Sequence, residues 1–354
     1  MKKIRVGLFF GGESPEHEIS IRSAATVVNL LDLKKYQIFP IGITKQGKWK
    51  ISKQLYLKSN DKAEQQLNQI LKSGEAFTEW IKLRQKVDIA FPCLHGTYGE
   101  DGTIQGIFEF LHLPYVGCGV LSSSLGMDKS LQKRVFNQQG LSVLDSYTFE
   151  NWMWNDFPQN IMQEIQKKIP YPIFVKPCRS GSSIGVSKAQ TEKDLIKAIQ
   201  TAFQYDTKVI VEKGIDKARE FEVSVMGNQL PEVSCVAETI PSNSFFDYEA
   251  KYLKPSEKKV PAEIPEEISK KIRLMAGMAY FALDCKGFAR VDFLASSDLS
   301  EIYIGEINTI PGLTQTSLFL KLWEVEGKTP AETLEQLIEL GIKLPRLKTH
   351  LKYE

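Results

Sequence analysis

The stretch IRVGLFFGG, residues 4–12, constrains the fold of this chain more than any other. IRVGLFF is a near-continuous apolar run without polar alternation, the pattern of a strand buried on both faces in a parallel sheet. Gly11 and Gly12 end it. In the following EHEISIRSAATVVNLL, Ile21, Ala24, Ala25, Val28 and Leu31 recur at helical spacing. YQIFPIGIT and VDIAFPCL read as further buried strands, and the polar residues 45–86 between them read as an insertion with its own helix. Strand, helix and strand in this order predict a doubly wound, Rossmann-like α/β first domain. No GxGxxG follows the first strand, so a dinucleotide is not indicated.

The pattern changes near Cys118. A helix begins around MDKSLQKRVFNQQG and stops at Gly140, a plausible C-cap. Strands DSYTF, YPIFVKP, GVSKA and KVIVEK follow, with the helix TEKDLIKAIQTAF before the last, and they predict a small α+β unit. REFEVSVMG, QLPEVSCV, a long helix from Pro265 to Leu283 and a closing hairpin predict a second one. At 354 residues the chain is too long for a single typical domain. The expected division is 1–117, 118–212 and 213–354.

The hairpin GFARVDFLA and EIYIGEIN, joined by the short polar turn SSDLS, poses a chemical question. Residues two apart on a strand share a face, so Glu306 and Asn308 point the same way, about 6–7 Å apart. Asp292, on a strand about 5 Å away, joins them if the register allows. Oxygen ligands without His or Cys suit a hard cation. The plainer alternative is an antiparallel hairpin with one solvated face.

Two further segments carry chemistry. In VKPCRSGSSIGVSK, Gly181 and Gly185 permit a tight turn whose backbone N–H groups can cradle phosphate, with Lys176 at the end of the preceding strand as a point charge. It is not the P-loop pattern, which ends in GK[ST] before a helix. A flexible turn is the equal alternative. VIVEKG ends in Glu212 and Lys213, and REF adds Glu220. Carboxylates at a strand end can bind the amine and ribose of a nucleoside, and a charged linker is the plain reading.

The formal charge of +2 gives no broad field for nucleic acid or a membrane surface. Five widely spaced Cys without a CxxC favour free thiols in a reducing compartment. The start MKKIRVGLFFGG is too short an apolar run for a signal peptide and has no small-residue cleavage site. Residues 111–127 lack charge but are broken by Gly, Pro and Ser, so they do not read as a membrane span. A cytoplasmic enzyme or binding protein is the expectation.

Lys129 in MDK, Lys176 in VKP, the SGSSIG loop, VEK, RVDF and GEINTIPG occur in the order and at the separations of the ATP-grasp family, in which two α+β lobes hold ATP between them. More narrowly, GGESPEHEIS, LHGTYGEDGTIQG, YVGCGVLSSSLGMDK, FFDYEAKY and NTIPGLTQTSL resemble the D-alanine–D-alanine ligases, from about Val6 to beyond Leu320. The resemblance implies a Rossmann-like N-terminal domain followed by a two-lobed ATP-grasp fold. It implies ATP as cosubstrate and two Mg²⁺ ions, with Mn²⁺ as a substitute, held by Asp292, Glu306 and Asn308.

By the same resemblance Lys129, Lys176 and Lys251 contact phosphates. Glu212 and Glu220 hold the nucleoside, and Ser183 and Lys213 belong to the same nucleotide site. Glu16 pairs with the ammonium of a first D-alanine, with His95 near its carboxylate. Arg290 and the backbone N–H of Gly312 stabilise an oxyanion. Ser182 and Tyr252 tie Glu16 to the DYEAKY loop, which reads as a lid, and Ser317 with Leu318 holds the carboxylate of a second substrate. D-lactate or D-serine in place of the second D-alanine is the nearest alternative. A homodimer is expected. Gly214, where relatives carry a bulky residue, and the long GIDKAREF segment depart from the family pattern.

Overall fold

The structure, a computed structural model, describes residues 2–52, 62–240 and 256–344. The first buried run forms β1 (Ile4–Gly11), parallel to β2 (Tyr36–Ile43) on one side and to β5 (Ile89–Pro92) on the other. α1 (His17–Leu30) makes the crossover from β1 to β2. This is the β-α-β arrangement expected of an apolar run that must be covered on both faces. The insertion does more than add a helix. Its strands β3 (Trp49–Ile51) and β4 (Glu75–Ala76) extend the sheet antiparallel, giving the order β4-β3-β2-β1-β5. Its helix α2 (Ala63–Ser73) buries Leu67 and Ile70 in the same core as α1.

The second sheet has the order β6-β9-β7-β8, from β6 (Ser146–Glu150), β7 (Ile173–Pro177), β8 (Ser187–Ala189) and β9 (Lys208–Lys213). Two helices, α8 (Pro158–Lys168) and α9 (Glu192–Ala202), bury Ile165, Leu195 and Ile199 against Val175 and Val211. A capping box between Thr191 and Asp194 starts α9.

The third sheet is antiparallel, with β10 (Arg219–Met226), β11 (Glu232–Ile240), β12 (Glu257–Lys259), β13 (Phe288–Ala295) and β14 (Ile302–Asn308) in the order β12-β11-β10-β13-β14. Helix α10 (Glu266–Ala282) covers one face, where Ile272, Ala276 and Ala279 pack on Val223, Val291 and Ile304. The alternate residues Arg290, Asp292, Glu306 and Asn308 are half-buried, which places the polar row of the hairpin on the face away from α10.

The last helices, α11 (Leu318–Val325) and α12 (Pro330–Lys343), return to the first sheet. Phe319, Trp323, Leu334 and Leu337 share one core with Val6, Leu8 and Val28. Pro330 at the first turn and a Thr329–Glu332 capping box fix the start of α12. The segment 213–354 therefore spans two cores. All five cysteines are free. Among the described residues no helix is long and apolar enough to cross a membrane.

The approach of α12 to the first sheet is set by Gly341. A Cβ there would lie 2.5 Å from the carbonyl oxygen of Tyr115 and 2.9 Å from Ile89 Cδ1. Gly341→Ala should therefore destabilise by about 1–3 kcal/mol through overpacking. Gly106→Ala, on α4 (Thr103–Phe110), meets no atom within 4 Å and should be neutral or stabilising. Urea midpoints of the two variants check the contrast. Equal midpoints would mean that α12 docks elsewhere.

Candidate active site

The register of the third sheet answers the question posed by the hairpin. Asp292 lies opposite Glu306, and Arg290 lies opposite Asn308. Between Asp292 and Phe293 the pairing shifts, so that Gly305 is the extra residue of a β-bulge. A Cβ at Gly305 would lie 3.2 Å from the Asp292 carbonyl oxygen, which explains the glycine. On the other side Asp292 lies opposite Glu222 of β10. Three carboxylates, Glu222, Asp292 and Glu306, thus form one row across three adjacent strands.

Cations are interleaved with that row. Arg290 Nε and Nη2 donate to the two oxygens of Asp292, each at 2.6 Å, and Nε lies 2.9 Å from Glu222 Oε2. Burial raises the Asp292 carboxyl, Arg290 opposes the rise, and the neighbouring acids bring it to about 6. Lys129 Nζ reaches Glu306 Oε2 at 3.0 Å and donates to the Ser180 carbonyl at 2.8 Å. Lys129 opens α6 (Lys129–Gln138), whose N-cap Asp128 accepts from the N–H groups of Ser130 and Leu131. Gln132 on the same helix accepts from the Ile307 N–H at 2.9 Å, so α6 is fixed to β14 beside Glu306.

A second charged group sits on the second sheet. Lys176 and Glu212 lie diagonally across β7 and β9, and their Nζ–Oε2 distance is 2.6 Å. Lys133, one turn along α6 from Lys129, lies 3.0 Å from Glu212 Oε1, although not aligned as a hydrogen bond. Burial opposes ionisation of Glu212, but the ammonium groups of Lys133 and Lys176 outweigh it and hold the carboxyl at about 2. Burial pulls Lys133 down; burial also opposes the charge on Lys176, but the charge and hydrogen bond of Glu212, with Glu306 and Glu220, together outweigh it and raise Lys176. The group carries two positive charges and one negative, a surplus that suits an anion. Sequence reasoning missed Lys133, although its i+4 spacing from Lys129 is a legible signal. Lys213 is half-buried at the end of β9 and takes part in the sheet edge through its N–H to Asp145. Glu220 stands two residues before Glu222 on β10, on the same face. Gly214 is small for a packing reason: a Cβ would lie 2.7 Å from the Pro172 carbonyl oxygen.

The loop after β7 closes over the first domain. Ser182 and Ser183 have φ of 52° and 55°, left-handed values uncommon for residues with a Cβ. Ser182 Oγ donates to the Glu16 carboxylate. That carboxylate lies close to two glycines: a Cβ at Gly181 would be 2.8 Å from Glu16 Oε2, and one at Gly96 3.2 Å from it. Glu16 is the N-cap residue of α1. The structure therefore brings Glu16, Ser182 and the HGTYGEDG turn together.

His95 is buried, with Nδ1 3.0 Å from the Ile310 carbonyl oxygen and Nε2 2.9 Å from Ser23 Oγ. The carbonyl can only accept, so Nδ1 carries a proton in this arrangement, and Nε2 pairs with the Ser23 hydroxyl. His95 thereby joins the first domain to the 310–313 loop. In that loop a Cβ at Gly312 would lie 2.9 Å from Ser317 Oγ, and Ser317 accepts from the Thr314 N–H at 3.0 Å. Ser317 precedes α11, whose first N–H groups have no partner within the helix. Lys251 and Tyr252 lie outside the described residues.

Sequence reasoning also missed Glu222 and Glu100. The Glu100 carboxylate accepts from the Gly96 N–H at 2.6 Å. Burial, reinforced by Glu16, pushes its carboxyl up to about 8 against the pull of that hydrogen bond.

As for a metal, among the described residues no three His, Cys, Asp or Glu side chains converge on one ion. The oxygen set is two carboxylates and an amide. This fits Mg²⁺, which takes one or two carboxylates and completes its shell with water and substrate phosphate.

Family models for the N-terminus and the C-terminus of D-ala D-ala ligases match residues 5–118 and 135–339. This chain belongs to the D-alanine–D-alanine ligase family. A D-alanine–D-alanine ligase of Chloroherpeton thalassium is 43% identical over 97% of each chain. The crystal structure of the VanG D-Ala:D-Ser ligase from Enterococcus faecalis matches at TM-score 0.84 and 36% identity, over 96% of this chain and 100% of the other. The D-alanine–D-alanine ligase of Bacillus anthracis, solved in complex with ATP, matches at TM-score 0.74 and 26% identity over 98% and 99%. The chain therefore has the ATP-grasp architecture and is a ligase of that family.

The Glu100 carboxyl makes stability depend on pH within this site. Its folded value of about 8 lies above the ordinary 4.5. Its contribution is complete below the ordinary value and is lost as pH rises through the folded one. Glu100→Gln keeps a carbonyl oxygen for the Gly96 N–H but cannot ionise. Relative to the native chain, its melting temperature should rise steadily between about pH 5 and about pH 8. A difference that is constant with pH would show that Glu100 is ionised in the folded protein.

Proposed function

We propose that the chain joins two molecules of D-alanine into D-alanyl-D-alanine, converting ATP to ADP and phosphate, for peptidoglycan precursors. The observation that carries the reading is the cross-strand set Asp292, Glu306 and Asn308, with Lys129 bridging from Glu306 to the Gly/Ser loop. A divalent cation held by such an oxygen set, together with the lysine, would neutralise a triphosphate. Lys176, in its surplus-positive group, adds a second point charge. Lys251 completes the phosphate contacts. Glu220, Glu212, Lys213 and Ser183 surround the nucleotide.

In the first step a carboxylate oxygen of one D-alanine attacks the γ-phosphorus of ATP, the bond to the β-phosphate oxygen breaks, and ADP leaves. A free carboxylate is a poor acylating agent, and the acyl phosphate overcomes this. In the second step the neutral amine of the other D-alanine attacks the acyl carbon. The C–O bond to phosphate breaks, and phosphate departs with the amine's proton. Arg290 and the Gly312 N–H stabilise the oxyanion formed on the way, a donor of this kind being worth about 3–4 kcal/mol. A divalent cation at Asp292, Glu306 and Asn308 would supply further charge neutralisation at the phosphates.

Glu16 orients the first ammonium, with Ser182 and Tyr252 linking it to the 241–255 segment. His95, held at both ring nitrogens, lies beside the first carboxylate. Ser317 and the start of α11 at Leu318 receive the second carboxylate, as a helix N-terminus receives an anion. A cytoplasmic place of action rests on the cysteine usage and on the family resemblance, and a homodimer on the resemblance alone.

One specific observation favours a second reading. The VanG structure, a D-Ala:D-Ser ligase, is similar over nearly the whole chain. D-serine is therefore the competitor for the second subsite. Mass spectrometry of products formed from ATP, Mg²⁺ and equal D-alanine, D-serine and D-lactate decides. D-alanyl-D-alanine should dominate near neutral pH, and a mixed product in excess would transfer the chain to the second reading. Glu306→Gln should lower turnover by a factor of about 10² or more with the fold, read by circular dichroism, unchanged. Near-native turnover would remove Glu306 from the metal set.

A further inference from the structure

Glu222 has no part in the reactions described above, yet both of its oxygens are committed. Oε2 lies 2.9 Å from Arg290 Nε on β13, and Oε1 accepts from Thr239 Oγ1 on β11 at 2.8 Å. The side chains of Glu222 and Arg290 are only 16% and 13% exposed, so the pair is little screened by solvent. Arg290 is gripped along one edge: Nε by Asp292 and Glu222, Nη2 by Asp292. No described group accepts from Nη1, which leaves that end of the guanidinium for a ligand.

The two acids differ in what else draws on them. Asp292 lies opposite Glu306, in the oxygen set assigned to the cation and the phosphates. Glu222 lies one strand farther from β14, opposite Asp292 on one side and Ala237 on the other. Its second partner is a neutral hydroxyl on a sheet strand. Its hold on Arg290 therefore uses no oxygen of the set assigned to the cation.

We propose that Glu222 is a positioning residue for Arg290, anchored in turn by Thr239, and that it keeps the guanidinium aimed at the reacting carbonyl while Asp292 serves the cation. Glu222 acts on the chemical step and not on nucleotide binding. The inference rests on the reading of Arg290 given under Proposed function.

Steady-state kinetics on the full chain tests it. Displacing a catalytic group by about 1 Å can cost about 10²-fold in rate. Glu222→Ala should lower kcat by roughly that factor, with KM for ATP within about threefold of native, because the lost interaction belongs to the transition state. Glu222→Gln, whose amide can still pair with the Thr239 hydroxyl but which lacks the charge that faces Arg290, should give a kcat between those of Glu222→Ala and native. Thr239→Val should lower kcat in the same direction by less. In an Arg290→Lys background, Glu222→Ala should add little further loss, since groups acting as one unit are not additive.

Melting temperatures separate these effects from unfolding. If Glu222→Ala does not fold, Glu222→Gln and Thr239→Val decide: native kcat in both would overturn the proposal. A native kcat in folded Glu222→Ala, while Arg290→Lys is impaired, overturns the proposal and leaves the reading of Arg290 intact. If Arg290→Lys itself keeps native kcat, the oxyanion reading falls and Glu222 loses its purpose with it.

Discussion

Three carboxylates on neighbouring strands repel one another, and the site stands only because cations are placed between them. Glu222, Asp292 and Glu306 occupy one row across β10, β13 and β14. Strands lie about 5 Å apart, so the repulsion is strong wherever water is scarce. Arg290 is interposed at one end of the row, between Glu222 and Asp292. Lys129 comes in at the other end, from a different element. Removing either cation leaves half-buried acids facing one another, which costs more the less water reaches them.

Much of the tertiary structure serves to deliver those cations. Lys129 cannot reach Glu306 unless α6 starts at the right place and lies against β14. Asp128 fixes the start, and the Gln132–Ile307 hydrogen bond fixes the position. The same helix carries Lys133 to Glu212 on the second sheet. α6 thus faces both charged groups, and a single rigid element couples the nucleotide side to the acidic row. Arg290 needs no such delivery, since it is two residues from Asp292 on one strand.

The first domain contributes in a different way. It supplies turns and not charge surplus. Glu16 and the Gly96 turn approach so closely that a Cβ at Gly96 would crowd both Ser14 and Glu16. Glu100 supports that turn as a neutral acid at neutral pH, which avoids a second negative charge beside Glu16. His95 and the cores shared by α11 and α12 tie this domain to the 310–313 loop, so the two halves of the site are held by packing as well as by polar bonds.

The sequence by itself determined the local periodicities and the types of group. The apolar run at β1, the helical spacing in α1, and the i, i+2 alternation in β13 and β14 are properties of neighbouring residues, and each element formed within a few residues of its expected bounds. The shared face of Glu306 and Asn308 followed in the same way. Periodicity gives a face, however, and not a partner. Only the tertiary structure set Asp292 opposite Glu306, because register depends on a bulge at Gly305 and on packing under the sheet. Only it placed Glu222 against Arg290, Lys133 against Glu212 and Glu100 beside Glu16, pairs separated by 68, 79 and 84 positions in the chain. It also returned α11 and α12 to the first core. These depend on which surfaces lose water together, a quantity no local stretch of sequence contains.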